Sequence, residues 1–302
     1  MTHNSPLASP RATINRLAEW GITTKKSLGQ HFLIDDGVVG RILRLASIER
    51  EDRVLEIGPG IGTLTEALLL KGSSVLALEK DGRLLPLLSE IQGRYPQAFK
   101  FLHIDALDYV EGRPDLEQDG RAVFLSTTLK LVANLPYSVA ATIVLDYFRF
   151  MSAIQSATVM VQKEVADRMA AQPGSKDYGA YSVKLQLIAS PKASFQVSRT
   201  CFLPPPRVDS TVIRFDRREN QIEPDEIPNT FMIIEAAFAE RRKTIRNSMR
   251  SQFVQLGLGL GLIDSLLELS GIPPSTRAEV LNPEDFLSLG RKYLELTASN
   301  AK

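Results

Sequence analysis

The chain has little of what metal and disulfide chemistry requires. Among its 302 residues there is one cysteine, Cys201, so no internal disulfide can form. Its three histidines, His3, His31 and His103, are scattered without zinc-ligand spacing. No metal is expected. Charge of one sign is also lacking: the net charge of +1, taken alone, favours a neutral substrate or a protein partner over a polyanion. The 44% hydrophobic and 24% charged content is that of an ordinary folded protein, which suggests neither disorder nor a membrane protein. The first residues, Met1 to Arg11, are polar and lack the apolar core of a secretory signal. A cytoplasmic protein follows as the expectation, and there is no repeat at solenoid periods.

What the chain does have is alternation. The runs 53–57, 74–79, 99–104, 129–133 and 157–161 are short and apolar, bounded by glycine, asparagine or acids, and read as buried strands. Amphipathic stretches at 36–46, 63–70, 83–91, 139–150 and 163–169 lie between them. That order predicts an α/β fold, a mostly parallel sheet with helices on both faces. Residues 193–197 and 208–215 read as two further strands closing one end of the sheet, around Leu203-Pro204-Pro205-Pro206, which is too proline-rich for a helix. The polar, acidic stretch 217–228 is the best linker. Beyond it the pattern is helical to the end, and the glycines of Leu256 to Leu262 should break or loosen a helix. At this length one large domain with a smaller one attached is expected.

Two motifs carry chemistry. The first is Glu56-Ile57-Gly58-Pro59-Gly60-Ile61-Gly62, a strand end, a glycine turn and a helix start, where a ligand packs against backbone that a Cβ would block. The dinucleotide fingerprint is G-x-G-x-x-G; here the spacing is G-x-G-x-G with an acid two residues before the first glycine, which favours S-adenosylmethionine, a cofactor without phosphate. Glu79, at the next strand end, is placed to accept both ribose hydroxyls, and Asp105 to accept from the adenine amine. An acid at one strand end is usually a cap or turn residue. Acids at three successive strand ends, all on the ligand-binding side of an open sheet, argue for a site.

The second motif is Asn134-Leu135-Pro136-Tyr137 at the end of the apolar run 129–133. The Asn134 side-chain oxygen and the Leu135 carbonyl suit the exocyclic amine of an extruded purine, and the Tyr137 ring offers a stacking surface. A basic segment, Glu240 to Arg250, places Arg242, Arg246 and Arg250 at four-residue intervals, on one face if it is helical. A solvated helix face accounts for it equally well.

Together these strings resemble the ribosomal RNA adenine dimethyltransferases, the KsgA or RsmA family. The resemblance runs from about Lys25 to Arg250. It rests on Lys26 to Leu33, Glu56 to Gly60, Asn134 to Tyr137, Val161 to Ala166, Tyr178 to Ser182, Phe202 to Ser210 and Arg241 to Thr244, in the family's order. It implies a Rossmann-like class I methyltransferase domain at 25–217, a helical RNA-recognition domain at 218–302 and an N-terminal extension at 1–24. The implied reaction is S-adenosylmethionine-dependent N6,N6-dimethylation of two adjacent adenosines near the 3′ end of small-subunit (16S) rRNA, on the rRNA or a pre-30S particle, by a monomer. The implied cofactor site is His31, Leu33, Gly58, Gly60, Glu79, Asp105 and Asn134, although many relatives have asparagine at the position of His31. Asn134, Leu135, Pro136 and Tyr137 would bind and orient the adenine, with Phe202 as the opposite wall, and Arg241, Arg242, Lys243 and Arg246 would bind RNA. The stretch before Lys25 is by default a disordered tail, its cations Arg11, Arg16, Lys25 and Lys26 available to phosphates. No role is assigned to 111–128. The rivals are a DNA adenine or large-subunit RNA methylase, a ribosome-assembly factor that has lost catalysis, and a dehydrogenase.

Overall fold

The computed structural model describes residues 3–23, 30–110, 128–219, 222–256 and 258–300. Lys25, Lys26 and nearly all of the 111–128 stretch lie outside them. The chain forms two compact units, one of Met1–Ala166 with Pro191–Arg217, the other of Asp167–Ser190 with Arg218–Lys302.

In the first unit, strands β2 (Arg53–Ile57), β3 (Ser74–Glu79), β4 (Phe99–His103), β5 (Leu129–Asn134) and β6 (Ile154–Gln162) pair in parallel. Strand β9 (Ser210–Arg217) joins β6 antiparallel, and β7 (Ala189–Val197) completes a sheet of order β4-β3-β2-β5-β6-β9-β7. Val54 to Ile57 and Val75 to Glu79 are buried without interruption. Both faces of a parallel sheet are covered, which is why these strands read as continuous apolar runs and not as alternations. The chain steps outward through β3 and β4 on one side of β2 and through β5 and β6 on the other. The β2–β5 junction, with Val54 opposite Lys130 and Leu55 opposite Leu131, is therefore the switch point beyond whose carboxyl ends open sheets bind ligands.

The helix Thr63–Leu70 follows β2, and its N-cap Gly62 has φ +88°. A Cβ at that position would sit 2.3 Å from Ile91 Cδ1, in the helix Leu85–Arg94. The third glycine of the motif is thus a packing requirement between two helices. A two-residue ribbon, β1 (Phe32–Leu33) antiparallel to β8 (Phe202–Leu203), is too short to show a period in sequence.

The N-terminal stretch is folded, contrary to the expectation of a tail. The Ser5 amide donates to Asp36 Oδ1 at 2.8 Å and the Asn4 amide to Asp36 Oδ2 at 3.1 Å. The helix Pro10–Glu19 is capped by the Ser9 hydroxyl. Arg16, only 9% exposed, donates to Glu90 at 2.7 Å, so it is spent on the fold and does not face phosphates.

The second unit contains the helices Ala180–Ile188, Ile227–Phe238, Ile245–Gln255, Leu260–Leu269 and Pro283–Asn300. Asp167–Ser190 belongs here although it interrupts the sheet domain in sequence. The Tyr178 hydroxyl donates to the Leu281 carbonyl at 2.9 Å, its ring meets Phe238 edge-on, and Lys184 pairs with Glu235. Among the described residues no helix is long and apolar enough to cross a membrane.

Candidate functional site

At the carboxyl ends of β2, β3 and β5 lies a cavity lined by both sequence motifs. Gly58 and Gly60 form one wall in left-handed conformations, φ +67° and +59°. A Cβ on Gly60 would press within 3.2 Å of the Phe32 ring, so the turn closes directly beneath the β1 ribbon. His31 and Leu33 come from that ribbon and its lead-in; Glu79, Asp105, Asn134, Leu135, Pro136 and Tyr137 also line the cavity.

The acids at the strand ends differ in environment. Glu56 is buried and accepts from the Thr65 hydroxyl at 2.6 Å; burial, against that bond and with Glu79 nearby, pushes its carboxyl up to about 8. Glu79 is also raised, chiefly by burial, although its carboxylate accepts from the Asp81 amide at 2.7 Å and the Gly60 amide at 3.3 Å. A carboxylate offers about four acceptor positions, and with the Lys80 amide also bonding it Glu79 retains capacity for a ribose hydroxyl. Asp105 is lowered: burial opposes ionisation, but its bonds with the Lys80 ammonium and the Leu107 amide prevail. Asp81, held by Arg83 and by the Gln30 amide, is lowered to about 2. Lys80, Asp81 and Thr63 also line the cavity and were not singled out by sequence. Thr63 Oγ1 is buried with no hydrogen-bond partner, and the 5% exposure of this residue was not inferable from a helix-start threonine.

Asn134 Nδ2 donates to the His31 carbonyl at 3.0 Å. That bond fixes the amide and leaves Oδ1, the acceptor end, for a ligand. The Leu135 amide donates to the Met160 carbonyl at 3.1 Å, extending the β5–β6 pairing into the motif. Tyr137 shares a 2.7 Å hydrogen bond with the Ser210 hydroxyl, and its ring stacks on His31.

Two expectations are corrected. Phe202 is 1% exposed, packed in the apolar core with Met160, Val197 and Val212, and is not among the residues lining the cavity, where a wall for the base was expected; in the ribbon it pairs with Leu33. The basic segment is not one helix. The preceding helix ends at Phe238 and the next starts at Ile245, with Thr244 as its N-cap, which takes Arg242 off the face shared by Arg246 and Arg250. Arg241 pairs with Glu279, and Arg246 with Asp264. Arg242, Lys243 and Arg250 are exposed. Among the described residues no group of three or more His, Cys, Asp or Glu could hold a metal ion.

A family model, ribosomal RNA adenine dimethylase, matches residues 21–289. The chain belongs to this family. It is 39% identical over 292 residues to the ribosomal RNA small subunit methyltransferase A of Shouchella clausii (strain KSM-K16), covering 96% of each chain. It is 37% identical over 294 residues to the protein of the same name from Geobacillus thermodenitrificans (strain NG80-2), covering 96% of this chain and 98% of the relative. Among solved structures, a dimethyladenosine transferase from Plasmodium falciparum matches with a TM-score of 0.70 at 23% identity, covering 88% of this chain and 98% of that one. The 23S rRNA methyltransferase ErmE matches with a TM-score of 0.62, also at 23% identity, over 87% of this chain and 99% of that one; both likenesses concern the fold. The dimethylase family membership makes this chain an rRNA adenine dimethyltransferase on a Rossmann-like sheet, and sets aside the dehydrogenase reading.

Proposed function

We propose that the chain transfers methyl groups from S-adenosylmethionine to N6 of two adjacent adenosines near the 3′ end of small-subunit rRNA. The substrate is the terminal hairpin within free rRNA or a pre-30S particle, and the enzyme works as a cytoplasmic monomer. The single observation that carries the reading is the Asn134 amide, anchored by Nδ2 so that its acceptor oxygen belongs to the same cavity as the glycine turn.

The chemistry of the lining fits this cofactor. Its carboxyl groups are Glu56, Glu79, Asp81 and Asp105, and its one ammonium, Lys80, is engaged by Asp105. With Asp81 and Asp105 met by Arg83 and Lys80 and Glu56 protonated up to about pH 8, the lining suits neutral ribose hydroxyls with Glu79 as acceptor and, among its described residues, offers a pyrophosphate no uncommitted cation. S-adenosylmethionine, when bound, supplies an electrophilic methyl group. Glu79 would hold the ribose, Asp105 the adenine amine, and His31, Leu33, Gly58 and Gly60 the walls around them. Asn134 Oδ1 and the Leu135 carbonyl would accept both hydrogens of the substrate amine and turn its lone pair out of conjugation, so orientation and preorganised dipoles carry the rate. Pro136 fixes the backbone aiming that carbonyl, and Tyr137 stacks on the extruded base. After one transfer a single N–H remains, so one acceptor is released and the pocket must accommodate a methyl group. Exposed Arg242, Lys243 and Arg250 are available to RNA backbone; Arg241 and Arg246 reach it by leaving their carboxylates.

The test is incubation with under-methylated small subunits and a methyl-labelled donor, with duplex DNA and large subunits in parallel. Dimethyladenosine confined to the small-subunit 3′ hairpin is expected. Label in DNA or large-subunit RNA instead would refute the assignment.

A further inference from the structure

Residue His31 touches both halves of the adenine-binding motif. Its carbonyl accepts from Asn134 Nδ2 at 3.0 Å, its Nδ1 lies 2.8 Å from the Pro204 carbonyl, and its ring stacks on Tyr137 with centroids 5.8 Å apart and an interplanar angle of 23°. A carbonyl can only accept, so Nδ1 carries the hydrogen and the ring is locked in one tautomer and one plane. Tyr137 is pinned at its other end by Ser210. Offset-stacked rings lie about 4.5 to 7 Å apart between centroids, so the two rings are in direct contact and no third ring fits between them. One face of Tyr137 is therefore occupied by protein.

We infer that His31 is a positioning residue for the methyl transfer: its ring backs Tyr137 so that the target adenine stacks on the opposite face, while its carbonyl sets the Asn134 acceptor. The inference rests on the proposed reaction. An unbacked Tyr137 ring would rock about its hydrogen bond to Ser210 and carry the base with it, spoiling the in-line approach on which transfer depends. The Asn134 anchor is main chain and survives substitution of the ring.

The experiment compares His31→Ala, which loses ring and bond, with His31→Phe, which keeps the stack and loses the bond to Pro204. Single-turnover transfer to under-methylated small subunits is measured at saturating cofactor. Cofactor affinity is measured separately by calorimetry, and base stacking by quenching of 2-aminopurine placed at the target adenosine of a hairpin RNA. His31→Ala is expected to slow transfer about tenfold, the scale of a lost aromatic pair and hydrogen bond. It should also weaken the quench with cofactor saturating, any loss of cofactor contact being read by the calorimetric titration and kept out of the rate, with His31→Phe recovering most of the rate. Wild-type transfer by His31→Ala, or a His31→Phe variant as slow as His31→Ala, would overturn the inference. If His31→Ala unfolds, His31→Phe is compared with His31→Asn, which keeps a donor and drops the ring: Phe faster supports the inference, Asn equal or faster overturns it. A wild-type enzyme inactive on these subunits overturns the functional reading itself, a result separable from active wild type with an unaffected variant.

Discussion

In the proposed reaction the Asn134 amide orients the substrate amine. Asn134 spends Nδ2 on the His31 carbonyl, so Asn134→Ala removes the oriented acceptor without leaving a buried charge. It should cost about 10²-fold in transfer, the scale of a lost oriented polar group at a reacting centre, while fold and weak cofactor binding persist; single-turnover assays with a parallel binding titration check this. Glu56 makes a different prediction. Its carboxyl titrates near 8 in the folded protein against 4.5 in an open chain. Between those values the unfolded chain has lost a proton that the native state keeps, so Glu56's contribution to stability is fully present below 4.5 and declines up to about 8, by at most about 1.4 kcal/mol per pH unit. Glu56→Gln keeps an acceptor for Thr65 and removes the titration. Melts of the two proteins from pH 5 to 8 should show the variant gaining on the wild type as pH rises; parallel curves would contradict the burial argument. Asn134 and Glu56 were legible in sequence because each sits at a strand end beside a turn residue. The backing of Tyr137 by His31 was not, since it joins residues 106 positions apart whose pairing only the fold creates.

At the scale of elements, periodicity worked where a segment was long and buried on a definite face, as for β2, β3 and the helices that cover them. It failed for the β1–β8 ribbon, two residues per strand, and for the basic segment, where four-residue spacing of arginines suggested a helix across a turn that ends at Thr244. Charge spacing carries no information about capping, and Thr244, the N-cap, lies inside the supposed helix. The glycine turn was recognised for ligand approach. Gly62 is needed instead for a left-handed N-cap against Ile91. Gly62→Val should destabilise the protein by about 2 kcal/mol, combining the left-handed penalty for a Cβ with a clash. Gly62→Asn should lose less, because asparagine tolerates that conformation. Denaturant midpoints rank the variants, and equal losses would remove the conformational part of the argument.

At the scale of the whole molecule, a net charge of +1 argued against a polyanionic partner, yet the chain belongs to a ribosomal RNA enzyme family. The resolution is pairing. Many cations are committed internally: Arg16 to Glu90, Arg83 to Asp81, Arg94 to Glu66, Arg241 to Glu279, Arg246 to Asp264 and Arg291 to Glu226. Sequence counts them all alike. Among the exposed cations outside these ion pairs, Arg242 and Lys243 share the turn before Ile245, and RNA phosphates should meet that adjacent pair. Each phosphate neutralised contributes about 0.7 to 0.9 to the slope of log affinity against log salt. Arg242→Gln with Lys243→Gln should therefore lower that slope by about 1.5 and weaken hairpin RNA binding at low salt, with cofactor affinity unchanged. Arg246→Gln, whose charge is already met by Asp264, should lower the slope by much less. Filter-binding or fluorescence titrations from 50 to about 300 mM salt measure both, and a larger slope change for Arg246→Gln than for the turn pair would mean that the Asp264 ion pair opens to release its cation on RNA.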